Sequence, residues 1–410
     1  MYRRVVITGI GMVTPLGAGK EAFSRALWRG ETEIREVAAF PTEGLPSHLG
    51  AEVRAFQPRD FVSVKNLRKM DRLSAMTTAS VRMAADDAGL RIDAANRDRI
   101  GIVMGTAFGN TEHKVLTARA LFTEGPGMVS PIHVPNTVMN APAGHTSIEL
   151  GIRGVNTTVN HHAVSGETAI VCAAMDIQRG AADVVLAGGA DILSEFFFEA
   201  LIRFRAASPV DGGAEGARPF DRRRNGAVIG EGAGILCLEG LDRARDRGAA
   251  PYCEIAGWGM SASPAGPTDW PDDPRGVLLA MERAVRLSGL APKDIDMVQA
   301  AANGGKNPDR IEAEACSRFF ASPAGPFMAS VKGAAGESFS SGGIRAAALA
   351  LSIREGMVPP TLGVADPIER LNIVTGTSVK ADIRCGLLNG ISYGGTNVSV
   401  VVKRTSPDGC

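Results

Sequence analysis

The residues that could carry out catalysis are unevenly distributed along this sequence. All six histidines lie within the first 162 residues, and the rest of the chain contains none. Two of them, His161 and His162, precede Ser165 at the predicted start of a helix, where a serine nucleophile and a histidine base could transfer an acyl group. Adjacent histidines cannot chelate one ion well without further ligands, so we expect no metal site there.

The cysteines and the glycine-rich loop indicate neither a metal site nor a nucleotide-binding site. The six cysteines show neither a Cys-x-x-Cys pair nor metal-ligand spacing, which in a chain of this size predicts reduced, buried thiols. The stretch GEGAG at 230–234 lacks the Lys-Ser/Thr of a nucleotide-binding loop. We therefore expect a tight turn between layers rather than a phosphate site.

Composition excludes several classes of function. Lys plus Arg and Asp plus Glu each number 44, so the formal charge is zero and neither nucleic acid nor an anionic membrane surface is an expected partner. Hydrophobic residues make up 45% of the chain, enough for a large core. Glycines interrupt the apolar N-terminal stretch, which predicts a buried strand at Val5–Ile7 and not a signal peptide. No apolar run is long enough for a membrane span, so we expect a cytoplasmic protein.

Short apolar runs alternate with longer segments of helical periodicity. The predicted strands are Val5–Ile7, Ile100–Met104, Val184–Ala187 and Ile235–Leu238. The predicted helices, each followed by a glycine, are Ala75–Asp87 and Ser165–Arg179. This alternation favours an α/β fold with a mostly parallel sheet covered by helices.

The sequence also resembles itself. The paired segments are ITGIGM at 7–12 with IAGWGM at 255–260, Gly-Leu at 89–90 with Gly-Leu at 289–290, and VVLAGGA at 184–190 with ISYGGTN at 391–397. Three pairs in the same order indicate a tandem duplication with its seam near Gly248–Pro251. We therefore expect two similar halves, residues 1–250 and 251–410, packed as one body.

Five segments carry a family resemblance. They are VVITGIGMVTPLG at 5–17, NTVMNAPAG at 136–144, VVLAGGAD at 184–191, ARPFDRRRNGAVIGEGAGILCLE at 217–239 and YGGTN at 393–397. These segments resemble the β-ketoacyl synthases, condensing enzymes of fatty-acid and polyketide assembly, and the resemblance runs essentially end to end. It implies the thiolase fold, a five-layer αβαβα sandwich of two duplicated halves.

The resemblance also shows which chemistry is missing. Active members move an acyl chain from the phosphopantetheine of an acyl carrier protein onto a cysteine, and two histidines steady the enolate; no other cofactor is implied. The cysteine must lie at a helix N-terminus, where the macrodipole lowers its pKa. The three matching positions of this chain hold Ala163, Ala301 and Glu337. Condensation by the family mechanism is therefore excluded.

Such losses resemble one branch of the family, the chain-length factors or ketosynthase-β subunits of type II polyketide synthases. These form heterodimers with an active ketosynthase and shape its elongation tunnel. The resemblance places the tunnel gate at Thr111, Lys114 and Ala118, with Phe197 on the second wall. The expected partners are thus an active ketosynthase and an acyl carrier protein.

Three further residues are expected near the vacated site. Glu312 and Lys332 match a buried ion pair of the family, and Tyr393 belongs to the YGGTN segment. Two alternatives remain open at this point. The chain could be a standalone acyltransferase that uses Ser165 with His161 or His162, or a scaffolding homodimer that binds acyl carrier protein.

Overall fold

The structure, a computed structural model, describes residues 3–321 and 325–405. The strands in these ranges are β1 (Val5–Thr14), β2 (Gly17–Ala18), β3 (Ile34–Glu36), β4 (Leu49–Ala51), β5 (Ile100–Gly105), β6 (Asn156–Val159), β7 (Val184–Asp191), β8 (Ile229–Gly230), β9 (Gly232–Gly240), β10 (Cys253–Ala262), β11 (Met297–Gln299), β12 (Phe327–Ala329), β13 (Met357–Val358), β14 (Val379–Lys380), β15 (Cys385–Ile391) and β16 (Thr396–Lys403).

The α-helices of the same ranges alternate with these strands along most of the chain. They are α1 (Lys20–Trp28), α2 (Val64–Leu67), α3 (Arg72–Asp87), α4 (Thr111–Thr123), α5 (Ala141–Leu150), α6 (Ser165–Gln178), α7 (Glu195–Arg203), α8 (Leu241–Asp246), α9 (Arg275–Ser288), α10 (Lys306–Phe320), α11 (Lys332–Ala335) and α12 (Gly342–Glu355).

Strand order repeats between the two halves. In the first half the order is β1-β9-β7-β5-β6, and in the second it is β10-β16-β15-β11-β12. In each series the first two pairings are antiparallel and the last two are parallel. β1 pairs with β10 across the junction. This repeated topology is the duplicated α/β arrangement that the sequence predicted, but the expectation of a mostly parallel sheet is wrong. β9 and β16 pair antiparallel with both of their neighbours, so the sheet is mixed.

Glycines explain why the paired segments at 7–12 and 255–260 look alike. Both strands shift register at the same place, between Ile7 and Gly9 and between Ile255 and Gly257. A β-carbon on Gly9 would lie 2.1 Å from the carbonyl oxygen of Ala84 in α3. A β-carbon on Gly257 would lie 2.4 Å from a carbonyl oxygen of α9. Because glycine has no β-carbon, the backbone of each helix can pack directly against the backbone of its strand at these positions.

The helices form layers on both sides of the strands. α3 packs on β1 and β9 and α9 packs on β10 and β16, whereas α6 and α12 contact each other and strands of both halves. The result is the five-layer sandwich. A buried ion pair between Glu167 of α6 and Arg345 of α12 joins the middle layer. Arg345 also donates to the carbonyl oxygen of Ala300, and burial lowers the pKa of its guanidinium to about 9.

The third pair of similar segments, 184–190 with 391–397, does not correspond in the structure. Gly188 and Gly189 lie inside β7, but Gly394 and Gly395 form a turn between β15 and β16. Their φ angles of 75° and 86° lie in the left-handed region, which a strand does not use. The counterpart of β7 is β15, which ends before the YGG segment begins.

Across the described ranges, none of the helices has the length and apolar character needed to cross a membrane.

Candidate functional site

The three vacated positions meet in one cavity. Ala163 lies at the start of α6, Ala301 follows β11, and Glu337 follows α11; all three line the same cavity. Its interior holds about 10 Å³, room for roughly one water molecule. A larger, open groove of about 530 Å³ lies elsewhere, between Arg3 and Arg247, and none of the vacated positions lines it. The three predicted positions therefore share one small cavity that is nearly filled.

A turn with an unusual backbone conformation leads from His162 through Ala163 into α6. His162 adopts φ 50°, an unusual conformation for a residue with a side chain, and α6 begins three residues later. The Ala163 amide lies where a donor could stabilise an oxyanion, but it donates to Ser392 Oγ at 3.2 Å. The methyl side chain cannot bond to an acyl group, and the amide already has a partner.

The loop that carries Ala301 is held by a carboxylate. Glu312 Oε1 accepts a hydrogen bond from the Ala301 amide at 2.9 Å, and Oε2 accepts one from Ala302 at 2.8 Å. Burial raises the pKa of Glu312 to about 7. Both oxygens thus bind backbone donors, so Glu312 holds this loop in place.

Glu337 is fully engaged by neighbouring groups. Its Oε2 accepts hydrogen bonds from Lys332 Nζ at 2.6 Å and from Asn303 Nδ2 at 2.7 Å. Its Oε1 accepts from the Phe339 amide at 2.8 Å. The expected ion pair of Lys332 with Glu312 is wrong, because the ammonium group contacts Glu337 instead. The turn at Gly336, with φ 72°, brings these two residues together.

Ser165 does not form the serine–histidine pair of the acyltransferase alternative. Its hydroxyl is buried, donates to the carbonyl oxygen of His162 at 2.7 Å and accepts from the His161 amide at 2.9 Å. The His161 ring contacts Thr168 instead, at 3.3 Å. The His162 ring packs against Tyr393, and burial lowers its pKa. Among the hydrogen bonds of the described residues, none joins Ser165 Oγ to an imidazole nitrogen.

The predicted gate residues lie on the first two turns of α4. Thr111 is buried, and its hydroxyl is 2.6 Å from Ser194 Oγ. Lys114 Nζ donates to the carbonyl oxygen of Phe108 at 2.9 Å, and burial lowers its pKa. Ala118 follows one turn later and is half-buried. The three residues thus share one helix, although Thr111 and Lys114 have partners inside this chain.

Phe197 lies on α7, which contacts the helix of the gate residues, and its ring belongs to an aromatic cluster beside Ala163. Its ring centroid is 3.7 Å from that of Phe108 and 5.7 Å from that of Phe339. The same apolar cluster contains Ala163. Its neighbour Phe196 is 59% exposed, so the outward aromatic side chain of this segment is Phe196. Sequence reasoning missed Phe108 and Phe339, which no motif distinguishes.

An outer apolar face extends from α4 to α5. Its large exposed side chains are Leu116, Leu121, Phe122, Met128, Ile132, Val134, Val138 and Ile148. Phe122 is the most exposed of these side chains, at 84%. β6, at the end of the sheet and in contact with α5, leaves one side of its backbone unpaired by the other described strands. Contiguous apolar surface beside a free strand edge is typical of a protein–protein interface.

Comparison with protein families and curated proteins gives one consistent result. The model described as "Beta-ketoacyl synthase, N-terminal domain" matches residues 2–244, and its C-terminal counterpart matches residues 252–365. A 3-oxoacyl-[acyl-carrier-protein] synthase 2 of Rhizobium meliloti is 34% identical over 98% of this chain and 99% of its own length. The protein of the same name from Vibrio harveyi is 33% identical with the same coverage.

Solved structures share the whole fold. The ishigamide ketosynthase/chain length factor superposes with a TM-score of 0.93 at 29% identity, over 99% of this chain and 100% of that chain. A β-ketoacyl synthase from Burkholderia phymatum superposes with a TM-score of 0.90 at 27% identity, over 98% and 100% of the two chains.

Proposed function

The chain belongs to the β-ketoacyl synthase family, and from that premise we propose that it is a noncatalytic chain-length factor, paired with an active ketosynthase. The observation that carries this proposal is the cavity at Ala163, Ala301 and Glu337. No thiol and no imidazole are among the described residues that line it, and it has space for roughly one water molecule.

Condensation makes demands that this cavity does not meet. The nucleophile must form a thioester, and the enolate left after malonyl decarboxylation needs neutral hydrogen-bond donors near its oxygen. Here Glu337 supplies a carboxylate whose oxygens already accept from Lys332, Asn303 and the Phe339 amide. The partner must therefore provide both the cysteine and the histidines, with acyl groups delivered on the phosphopantetheine of a carrier protein.

The outer apolar face supports the pairing. Exposed residues such as Phe122 and Ile148 would be costly to leave in water, and β6 offers unpaired backbone donors and acceptors at its free edge. An active ketosynthase of the same fold would present an equivalent face. The similar structure of a ketosynthase/chain length factor supports this choice of partner. The same face could pair two copies of this chain, which is the scaffolding alternative.

Chain-length control follows from where α4 lies. The helix carries the predicted gate residues and also part of the outer apolar face, so a docked partner would contact both. A side chain that fills the end of the partner's tunnel removes space for the next extension unit, because overpacking costs about 1–3 kcal/mol. Ala118 and Lys114 are the gate side chains that we propose for this role.

The test compares the chain alone with the chain in complex. We expect no malonyl-dependent carbon dioxide release from this chain alone, and release when it is co-purified with the ketosynthase from its own genomic neighbourhood. Ala163→Cys should add no second active site, because Ala301 and Glu337 remain. Product formed by the isolated chain would contradict the proposal and favour an independent enzyme.

A further inference from the structure

Three phenylalanines converge beside Ala163. The Phe108 ring centroid lies 3.7 Å from that of Phe197 and 5.0 Å from that of Phe339, and the last pair meets nearly edge to face. The rings come from three separate segments: the loop before α4, the helix α7, and the loop before α12. The three rings thus fill the space between these segments beside Ala163.

Phe339 is held in this position against its backbone preference. Its φ angle of 50° lies in the left-handed region, where a bulky residue is strained. Its amide donates to Glu337 Oε1 at 2.8 Å, and the next amide, of Ser340, donates to Asp191 at 2.9 Å. Two buried carboxylates thus fix the strained turn. Phe339 also lines the closed cavity together with Ala163.

The cluster occupies the apolar space that is available to a group attached at position 163. Ala163 belongs to a hydrophobic cluster that includes Phe197, Phe339 and, at its margin, Phe108. The other side of the cavity is polar, because Asn303, Lys332 and Glu337 line it. A hydrocarbon chain extending from the start of α6 would therefore enter the space that the three rings fill.

We propose that Phe108, Phe197 and Phe339 form an aromatic plug that excludes acyl chains from this subunit, and that Glu337 is the positioning residue that holds Phe339 in it. The inference rests on the proposed function only in taking an acyl chain as the excluded ligand. It means that the chain is closed to substrate as well as unreactive, so that elongation proceeds on one side of the heterodimer. It also assigns Phe197 to this plug and not to the wall of the partner's tunnel.

A cysteine reporter tests the plug. Ala163→Cys introduces a thiol at the cavity, and its alkylation by a dodecyl iodoacetamide is followed in the complex by peptide mass spectrometry. Adding Phe108→Ala should raise the rate at least about tenfold, since the long chain no longer overpacks the cavity. The control Phe61→Ala, which removes a stacked ring from another core, should leave the rate unchanged. Equal rates with and without Phe108→Ala would overturn the proposal.

The role of Glu337 has its own readout. In the same reporter background, Glu337→Ala should speed dodecyl labelling, whereas Glu337→Gln should keep it slow because an amide oxygen can still accept from the Phe339 amide. If Phe108→Ala does not fold, Phe339→Leu with a fluorescent long-chain fatty acid replaces it, and absence of binding would overturn the plug. Labelling can also be measured on this chain without the ketosynthase. The test of the plug therefore does not depend on whether the heterodimer forms.

Discussion

The closed cavity and the outer apolar face have opposite characters. In the cavity, Glu337 has a donor on each oxygen and the volume is nearly filled. On the outer face, Phe122 and its neighbours are exposed with no described residue covering them. The interior is thus filled within one chain, whereas the apolar side chains of the outer face are left exposed by it. In the proposed role, the function has moved from the interior to the surface.

The largest effect should come from breaking the ion pair in the cavity. Lys332→Met leaves the Glu337 carboxylate buried beside a hydrocarbon, which should lower the free energy of unfolding by about 3–5 kcal/mol. Urea denaturation measures the loss, and Lys332→Met with Glu337→Gln, which removes the buried charge and keeps an oxygen that accepts from the Phe339 amide, should recover part of it. The control Lys306→Met removes an exposed pair with Asp211 and should cost only about 0–1 kcal/mol. Equal costs at the two lysines would mean that the cavity is wetter than the structure indicates.

The next effect concerns the outer face. Phe122→Glu should leave the fold of this chain intact, because the ring is exposed, yet weaken binding to the ketosynthase roughly 30-fold or more, about 2 kcal/mol. Titration of labelled subunits gives the affinity. Leu287→Glu, at an exposed position of α9, is the control and should bind as wild type. Unchanged affinity of the Phe122 variant would remove α4 from the interface.

A smaller change should alter the product and not the complex. Ala118→Phe adds a ring to the proposed gate and should shorten the main product by roughly one extension unit, since overpacking costs about 1–3 kcal/mol. Chromatography of the released products measures the shift. Ala120→Phe points the same ring toward a different side of the helix and should leave the length unchanged. Identical product profiles for both variants would disprove the gate assignment.

The smallest effect is a dependence on pH. The folded state raises the pKa of Glu312 from 4.5 to about 7, so the folded chain keeps this proton to a higher pH than the unfolded chain does. The contribution to stability is full below pH 4.5 and is lost as the pH rises through 7. Glu312→Gln should therefore reduce the decline in the thermal midpoint between pH 5 and 8, and the buried Asp191 and Asp309, whose pKa values are raised to about 6, should account for the rest. Asp211→Asn is the control. The pKa of Asp211 is lowered to about 2, so this carboxyl group does not titrate between pH 5 and 8. An unchanged slope in Glu312→Gln would contradict the burial of its carboxyl group.

Local patterns predicted the elements well. The glycines of 7–12 and 255–260 gave a correct pairing of the halves, because each of these segments needs glycine where a neighbouring helix packs closely on the strand. The predicted strands were too short at β1 and β9, since glycines inside a buried strand look like strand ends in a sequence. The turn at Gly394 was mistaken for a strand for the opposite reason, because its pair of glycines looks in the sequence like the pair inside β7.

The site was predictable in its positions but not in its contacts. Motif order was sufficient to place Ala163, Ala301 and Glu337, and the structure brings them together. The partner of Lys332 depended on the left-handed turn at Gly336, which side-chain type does not reveal. The three-ring cluster joins segments that are far apart in the chain, so only the folded structure shows it.

Intact-protein mass spectrometry of the proposed heterodimer tests the central claim most directly. The chain is co-expressed with its ketosynthase, and a reactive acyl-carrier substrate is added. We predict a one-to-one complex in which acyl mass appears on the ketosynthase and none on this chain. Acyl mass on this chain would contradict the account and would return Ser165 to consideration as a nucleophile.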